Sequence, residues 1–161
     1  MGVEAYLDFD IPFLVSATDA IVIGTVRDEL PARWTTRDGT RPANPHTGSY
    51  GIYRPVVVDV EQVIKGQTQR HIMVNAQGGQ IGQDLVSEGS ATPLYTFTKG
   101  EHVLLFLSEP RYAHPEMVNG VVPYLVDDHY TLMADGHAKS YHRLETFQQL
   151  LNEIQMAIHK R

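Results

Sequence analysis

Tyr53-Arg54-Pro55-Val56-Val57-Val58-Asp59-Val60-Glu61-Gln62-Val63-Ile64-Lys65-Gly66 is the stretch from which the fold can be argued. Extended, it puts Val56, Val58 and Val60 on one face and Val57, Asp59 and Glu61 on the other, so the second face passes from apolar to charged. Side chains of a strand alternate between faces, and β-branched residues suit a pleated, half-buried surface. Lys65-Gly66 ends the run with a residue that tolerates positive φ. A further strand, His71 to Ala76, follows at hairpin distance.

Upstream, Ala20-Ile21-Val22-Ile23-Gly24-Thr25-Val26-Arg27 begins apolar on both faces, as in a strand covered on each side, and Gly24 marks a bulge or sharp bend. Before it, residues 10–18 read as a short helix, with Asp10 as its cap and Pro12 in the first turn. Downstream, Glu101 to Ser108 alternates Val103, Leu105 and Leu107 against Leu104 and Phe106, again apolar on both faces. Val121 to Val126 and Tyr130 to Ala134 read as two strands separated by a turn at Asp127-Asp128-His129. Leu144, Phe147, Leu151, Ile154 and Ile158, widened by Leu150 and Ala157, predict a closing amphipathic helix. Residues 30–49 and 78–100 fit no period and are expected to be irregular loops.

These elements predict one α+β domain, mainly β, over residues 1–161. The expected architecture is a five- to six-stranded OB-like Greek-key barrel with a short N-terminal helix and a C-terminal amphipathic helix. A sandwich is the alternative. The strands follow one another without crossover helices, which argues against a parallel doubly wound sheet.

Bulk composition narrows the chemistry. With 161 residues the chain can bury a real core, and 42% hydrophobic with 20% charged residues is ordinary for a globular protein. A formal net charge of -6 argues against nucleic-acid binding through a general basic surface. The chain has no cysteine, which excludes disulfides, thiolate chemistry and Cys-based metal sites. No apolar run approaches the ~20 residues that span a bilayer. Met1 to Ala5 show no basic n-region and no h-region of a signal peptide, and Tyr6 stands where myristoylation wants Ser or Thr.

A family resemblance emerges from three places. Ala17-Thr18-Asp19-Ala20-Ile21-Val22-Ile23-Gly24-Thr25-Val26 is similar to the opening strand of netrin-like modules, the class that includes tissue inhibitors of metalloproteinases. The stretch ending in Val63-Ile64-Lys65-Gly66 resembles that class's second strand. Gly78-Gly79-x-x-Gly82 followed by Lys99-Gly100-Glu101-His102-Val103-Leu104-Leu105-Phe106-Leu107 resembles small exported bacterial proteins of this type. The resemblance covers about residues 11–108 and implies an OB-like five-stranded barrel with a flanking helix. It also implies an extracellular or cell-envelope location. The eukaryotic inhibitors chelate the protease zinc with an N-terminal cysteine, which this chain lacks, so that mode of inhibition does not carry over.

Catalytic and metal motifs are sparse. The histidines, at 46, 71, 102, 114, 129, 137, 142 and 159, form no His-Glu-x-x-His. His71 and His102 are expected at strand rims or partly buried. Asp127, Asp128 and His129 with His137 or His142 would have to converge to make an oxygen–nitrogen metal site; the competing reading is a solvated turn. Ser90 lacks a nucleophile elbow, and Gly78-Gly79-Gln80-Ile81-Gly82 reads as a tight turn rather than a phosphate loop. A nucleic-acid groove on the second and third strands is disfavoured by Asp59 and Glu61.

The strongest functional hint is the 30–49 loop, where Trp34, the only tryptophan, sits among Arg33, Arg37 and Arg41. Arg33, Trp34, Arg37, Arg41 and His46, with Tyr95 of the second loop, are the candidate partner-binding residues. The competing reading folds Trp34 back over the core and pairs the arginines with local acids such as Asp38. The sequence therefore predicts a non-catalytic cell-envelope or extracellular module that binds a protein partner through its loops, with no cofactor and no nucleic acid. The alternatives are a protease inhibitor or regulator of netrin-like type, and a metal-dependent enzyme or metal-binding protein using residues 127–142.

Overall fold

The computed structural model describes residues 10–36, 38–45, 50–86, 97–110, 118 and 121–160. The fold is mainly β, with a short helix near the N-terminus and a longer one at the C-terminus. Among these residues no helix is long and apolar enough to cross a membrane.

The helix α1 (Ile11–Ala17) forms as its sequence dictates. The Asp10 carboxylate accepts from Phe13 N at 2.8 Å, Pro12 lies in the first turn, and Ile11, Leu14 and Val15 are buried. At its far end Thr18 donates through its hydroxyl and its backbone N–H to the carbonyl of Leu14.

Strand β1 (Ala20–Glu29) is followed by the two-residue β2 (Arg33–Trp34), then by the long β3 (Ile52–Lys65) and β4 (His71–Gln77). A short hairpin of β5 (Gly79–Ile81) and β6 (Asp84–Val86) precedes β7 (His102–Ser108) and β8 (Tyr124–Leu132). The chain ends in β9 (His137–Lys139), β10 (Leu144–Thr146) and the helix α2 (Phe147–His159). The main sheet runs β10-β9-β8-β4-β3-β1-β7, and β7 pairs in addition with β8. Among the described residues every strand pairing is antiparallel except β4 with β8, which meet over Val74↔Tyr124 and Asn75↔Leu125.

The alternation of β3 plays out as expected. Val56 and Val58 are fully buried, Val60 packs beside them, and Glu61 is exposed on the opposite face. These valines join Val22, Val26, Ile72, Val74, Val103, Leu105, Leu107 and Val126 in an inner core. The other faces of β1 and β7 are covered too. Ile21, Ile23, Leu104, Phe106 and Tyr130 pack against Ile11, Leu14 and Val15 of α1 and Leu150 and Ile154 of α2. Full burial of each such aliphatic side chain contributes about 1.5–3 kcal/mol, so the two helices are held as an outer layer.

Gly24 sits at a register shift of β1 against β3. A Cβ there would lie 2.5 Å from the carbonyl oxygen of Asp59, so the bend brings two backbones closer than any side chain allows. Gly66 has φ +77, and a Cβ on it would stand 2.3 Å from the Asp19 oxygen, which explains the glycine after Lys65.

Four expectations need correction. Asp127-Asp128-His129 is no turn; it lies in the middle of one continuous strand, β8, which Val121, Val122 and Pro123 precede. Leu144 is not helical: it lies on β10, is 64% exposed, and the helix starts after it with a capping box between Thr146 and Gln149. The 30–49 and 78–100 stretches are not wholly irregular, since they contain β2 and the β5–β6 hairpin. The β9–β10 hairpin adds strands where only a connection was expected.

Candidate functional site

The outer face of β3 and β4 is apolar at one end and charged at the other. Val57 and Met73 are cross-strand partners, and Tyr53, Met73 and Val118 form a small third cluster with Leu30 and Val57 against it. Val118 belongs to the connection between β7 and β8 and exchanges two backbone hydrogen bonds with Val121, at 2.8 and 2.9 Å. Val118 therefore packs on the apolar end of the face.

The charged end of the same face is a row of cross-strand pairs. Asp59 meets His71 Nδ1 at 2.6 Å and Arg27 Nε at 3.4 Å, while Glu61 meets His102 Nε2 at 2.9 Å. All five side chains are substantially exposed. Such pairs fix strand register more than they stabilise, each contributing about 0.2–1 kcal/mol.

Between β4 and the β7–β8 connection a cleft of about 470 Å³ opens, lined by Gln69, His71, Ile72, Met73, Glu109, Pro110, Val121, Val122 and Tyr124. Its wall is largely apolar, and Val121 is 44% exposed in it. One end is acidic. The Glu109 backbone N–H donates to Asp19 Oδ2 at 2.8 Å, which brings two carboxyl-bearing residues together beside Tyr124. Burial, then the charges of Glu109 and Asp19, push the Tyr124 phenol above its ordinary range, so the hydroxyl keeps its proton. Nearby, burial raises the Asp127 carboxyl against the opposing hydrogen bond from Ser108, with Asp19 adding to the rise.

The residues singled out from sequence are placed as follows. Trp34 is buried, 1% exposed, on β2 against Ile52 of β3, and among the described residues its Nε1 has no hydrogen-bond partner. Arg33 folds its guanidinium against Gly39 and donates to the Asp38 carbonyl at 3.3 Å. Arg41 grips Asp84 of the β5–β6 hairpin through Nε at 2.8 Å, fastening one loop to the next. Arg37, His46 and Tyr95 lie outside the described residues. Arg33, Trp34 and Arg41 thus meet three separate environments, and none of them lines the cleft.

The proposed metal set does not assemble. Asp127 bonds to Ser108, Asp128 accepts from the His129 backbone, His137 pairs with Asp135 at 3.1 Å, and His142 packs edge-on against Tyr141. His129 is turned into the interior, its ring 4.9 Å from Phe97, and burial pushes its pKa down despite the Glu101 charge. Among the described residues no three His, Asp or Glu side chains are grouped to hold a metal ion.

The cleft could not be read from sequence because it draws on three segments: residues 69–73, 109–110 and 121–124. The one local clue is Val121-Val122, two β-branched residues between Asn119-Gly120 and Pro123. No protein-family model, no curated protein and no solved structure matches the chain.

Proposed function

We propose that the chain is a non-catalytic binding module on a five-stranded, partly open OB-type barrel of Greek-key form, and that it captures a protein partner in the cleft beside β4. The circuit β1-β3-β4-β8-β7, in which each strand pairs with the next and β7 pairs back to β1, supports the barrel. The two-residue contact of β4 with β8 is its weak seam. OB-type barrels bind on the face of their second and third strands and on the loops beside it. In this circuit β4 is the third strand, and the cleft lies between it and the connection from the fourth strand to the fifth.

The cleft is the observation that carries the reading. It is a mostly apolar concavity with a few polar side chains, Gln69, His71, Glu109 and Tyr124, in its lining, which is the usual form of a binding site. Of the loop residues nominated from sequence, Arg33 and Arg41 bond within the chain and do not line the cleft. The acidic end and the net charge of -6 favour a protein over a nucleic acid. The netrin-like resemblance adds a cell-envelope or extracellular setting to the proposal.

The test compares immobilised wild type with Val121→Lys and Tyr141→Lys as bait for extracts of the parent cells. A partner retained by wild type and Tyr141→Lys and lost from Val121→Lys supports the cleft. Equal retention by all three removes it.

A further inference from the structure

We infer that the cleft takes an extended, lysine- or arginine-bearing segment of the partner, which adds as a strand to the edge of β4 at residues 71–73; this rests on the cleft being the binding face. The backbone carries the first part of the argument. Val60 N donates to the Arg70 carbonyl at 2.7 Å, and the register continues through Asp59↔His71, Val58↔Ile72 and Val57↔Met73. In an antiparallel ladder only alternate residues bond across a given pair of strands. Ile72 and Val74 therefore turn their N–H and C=O groups toward β3, whereas His71 and Met73 turn theirs away from it.

On that far side β8 reaches β4 only at Val74 and Asn75. Among the described residues no strand pairs with β4 at His71, Ile72 or Met73 on the cleft side. All three line the cleft. Main-chain polar groups on an open edge are a ready template for an added strand.

Charge names the occupant. Glu109 lines the cleft beside Asp19, and both charges are felt at the Tyr124 phenol, which stays neutral and can accept as well as donate. Among the described residues no lysine or arginine lines the cleft. An incoming ammonium or guanidinium finds the Glu109 carboxylate at one end, while Met73, Pro110, Val121 and Val122 receive apolar neighbours at alternate positions of the same segment.

The probe is a pair of acetylated hexapeptides, Val-Lys-Val-Lys-Val-Lys and Val-Glu-Val-Glu-Val-Glu, followed through the backbone amide resonances of the whole chain. The lysine peptide is expected to shift the amides of His71, Met73, Val121, Val122 and Tyr124 and to slow hydrogen exchange at His71 and Met73. Its affinity should fall about five-fold in Glu109→Gln, the loss of one rim ion pair. A lysine peptide N-methylated at alternate residues should not bind. If the two charges bind equally, or the N-methylated peptide binds as well as its parent, the inference is overturned while the cleft stands. If neither peptide shifts a cleft amide at millimolar concentration, the inference also falls. The Val121→Lys comparison, which uses no peptide, then decides separately on the cleft.

Discussion

Lys65, the last residue of β3, donates from Nζ to the carbonyl oxygen of Val15 in the final turn of α1. The same ammonium reaches the carbonyl of Thr18. Helix ends leave carbonyls without intrahelical partners, and a cation there also complements the helix dipole. Lys65-Gly66, which looked from sequence like a strand terminator, is thus the clasp between the outer helix and the sheet. Lys65→Met keeps the stem and removes the donor. It should cost about 1.5–3 kcal/mol in urea unfolding, the range for a hydrogen bond to a charged group. A change within error of zero would show that water replaces the clasp.

Trp34 and Arg41 separate packing from charge in the 30–49 loop. Trp34 is buried on β2, so Trp34→Ala should cost about 3–5 kcal/mol. Arg41 is an exposed partner of Asp84, and Arg41→Ala should leave the unfolding midpoint close to that of wild type. Because Trp34 is the only tryptophan, its emission should stay blue-shifted in Arg41→Ala. A red shift would mean that the ion pair, rather than the pairing of β2 with β3, holds the ring in.

His129 makes the fold acid-sensitive. Burial lowers its pKa below 6.5, so the native state holds it neutral while the unfolded chain takes up a proton near 6.5. Its contribution is therefore complete above that pH and is lost as pH falls below it, with a limiting slope of about 1.4 kcal/mol per pH unit. His129→Leu should flatten this limb of the stability profile. An unchanged profile in the variant would contradict the buried neutral imidazole.

Glu145 acts in the opposite sense. Burial, then a hydrogen bond and the charge of Glu153, raise its pKa from 4.5 to about 7, with Arg143 opposing. The native state carries the extra proton between those values, so stability declines as pH rises through that interval. In Glu145→Gln the decline should disappear, exposing the acid limb of His129 more clearly. Persistence of the decline would place its source elsewhere.

The parts of this fold that could be read from sequence are those with a strict local period. β1, β3, β4 and β7 carry two-residue alternation or apolar runs, and α1 carries its own cap. β8 was hidden because Asp127-Asp128-His129 has turn composition, yet Asp127 is bonded to Ser108 and His129 is desolvated beside Phe97. Tertiary partners made a strand of residues that prefer turns. Leu144 fitted the helical spacing, and the capping box Thr146-x-x-Gln149 was the signal that it lay outside. For the site, Trp34 among arginines drew attention to the loop, although the ring packs inside it. The cleft depends on register and on a short β4–β8 contact, and neither is written in any one segment.

The central claim, that the cleft beside β4 is where a partner binds, is tested most directly by site-specific photocrosslinking in the parent cells. Benzoylphenylalanine is placed at Val121 in the cleft or at Tyr141, exposed outside it. The account predicts a discrete adduct from position 121, absent at 141 and diminished when Glu109→Gln is added. An adduct at 141 with none at 121 would contradict it.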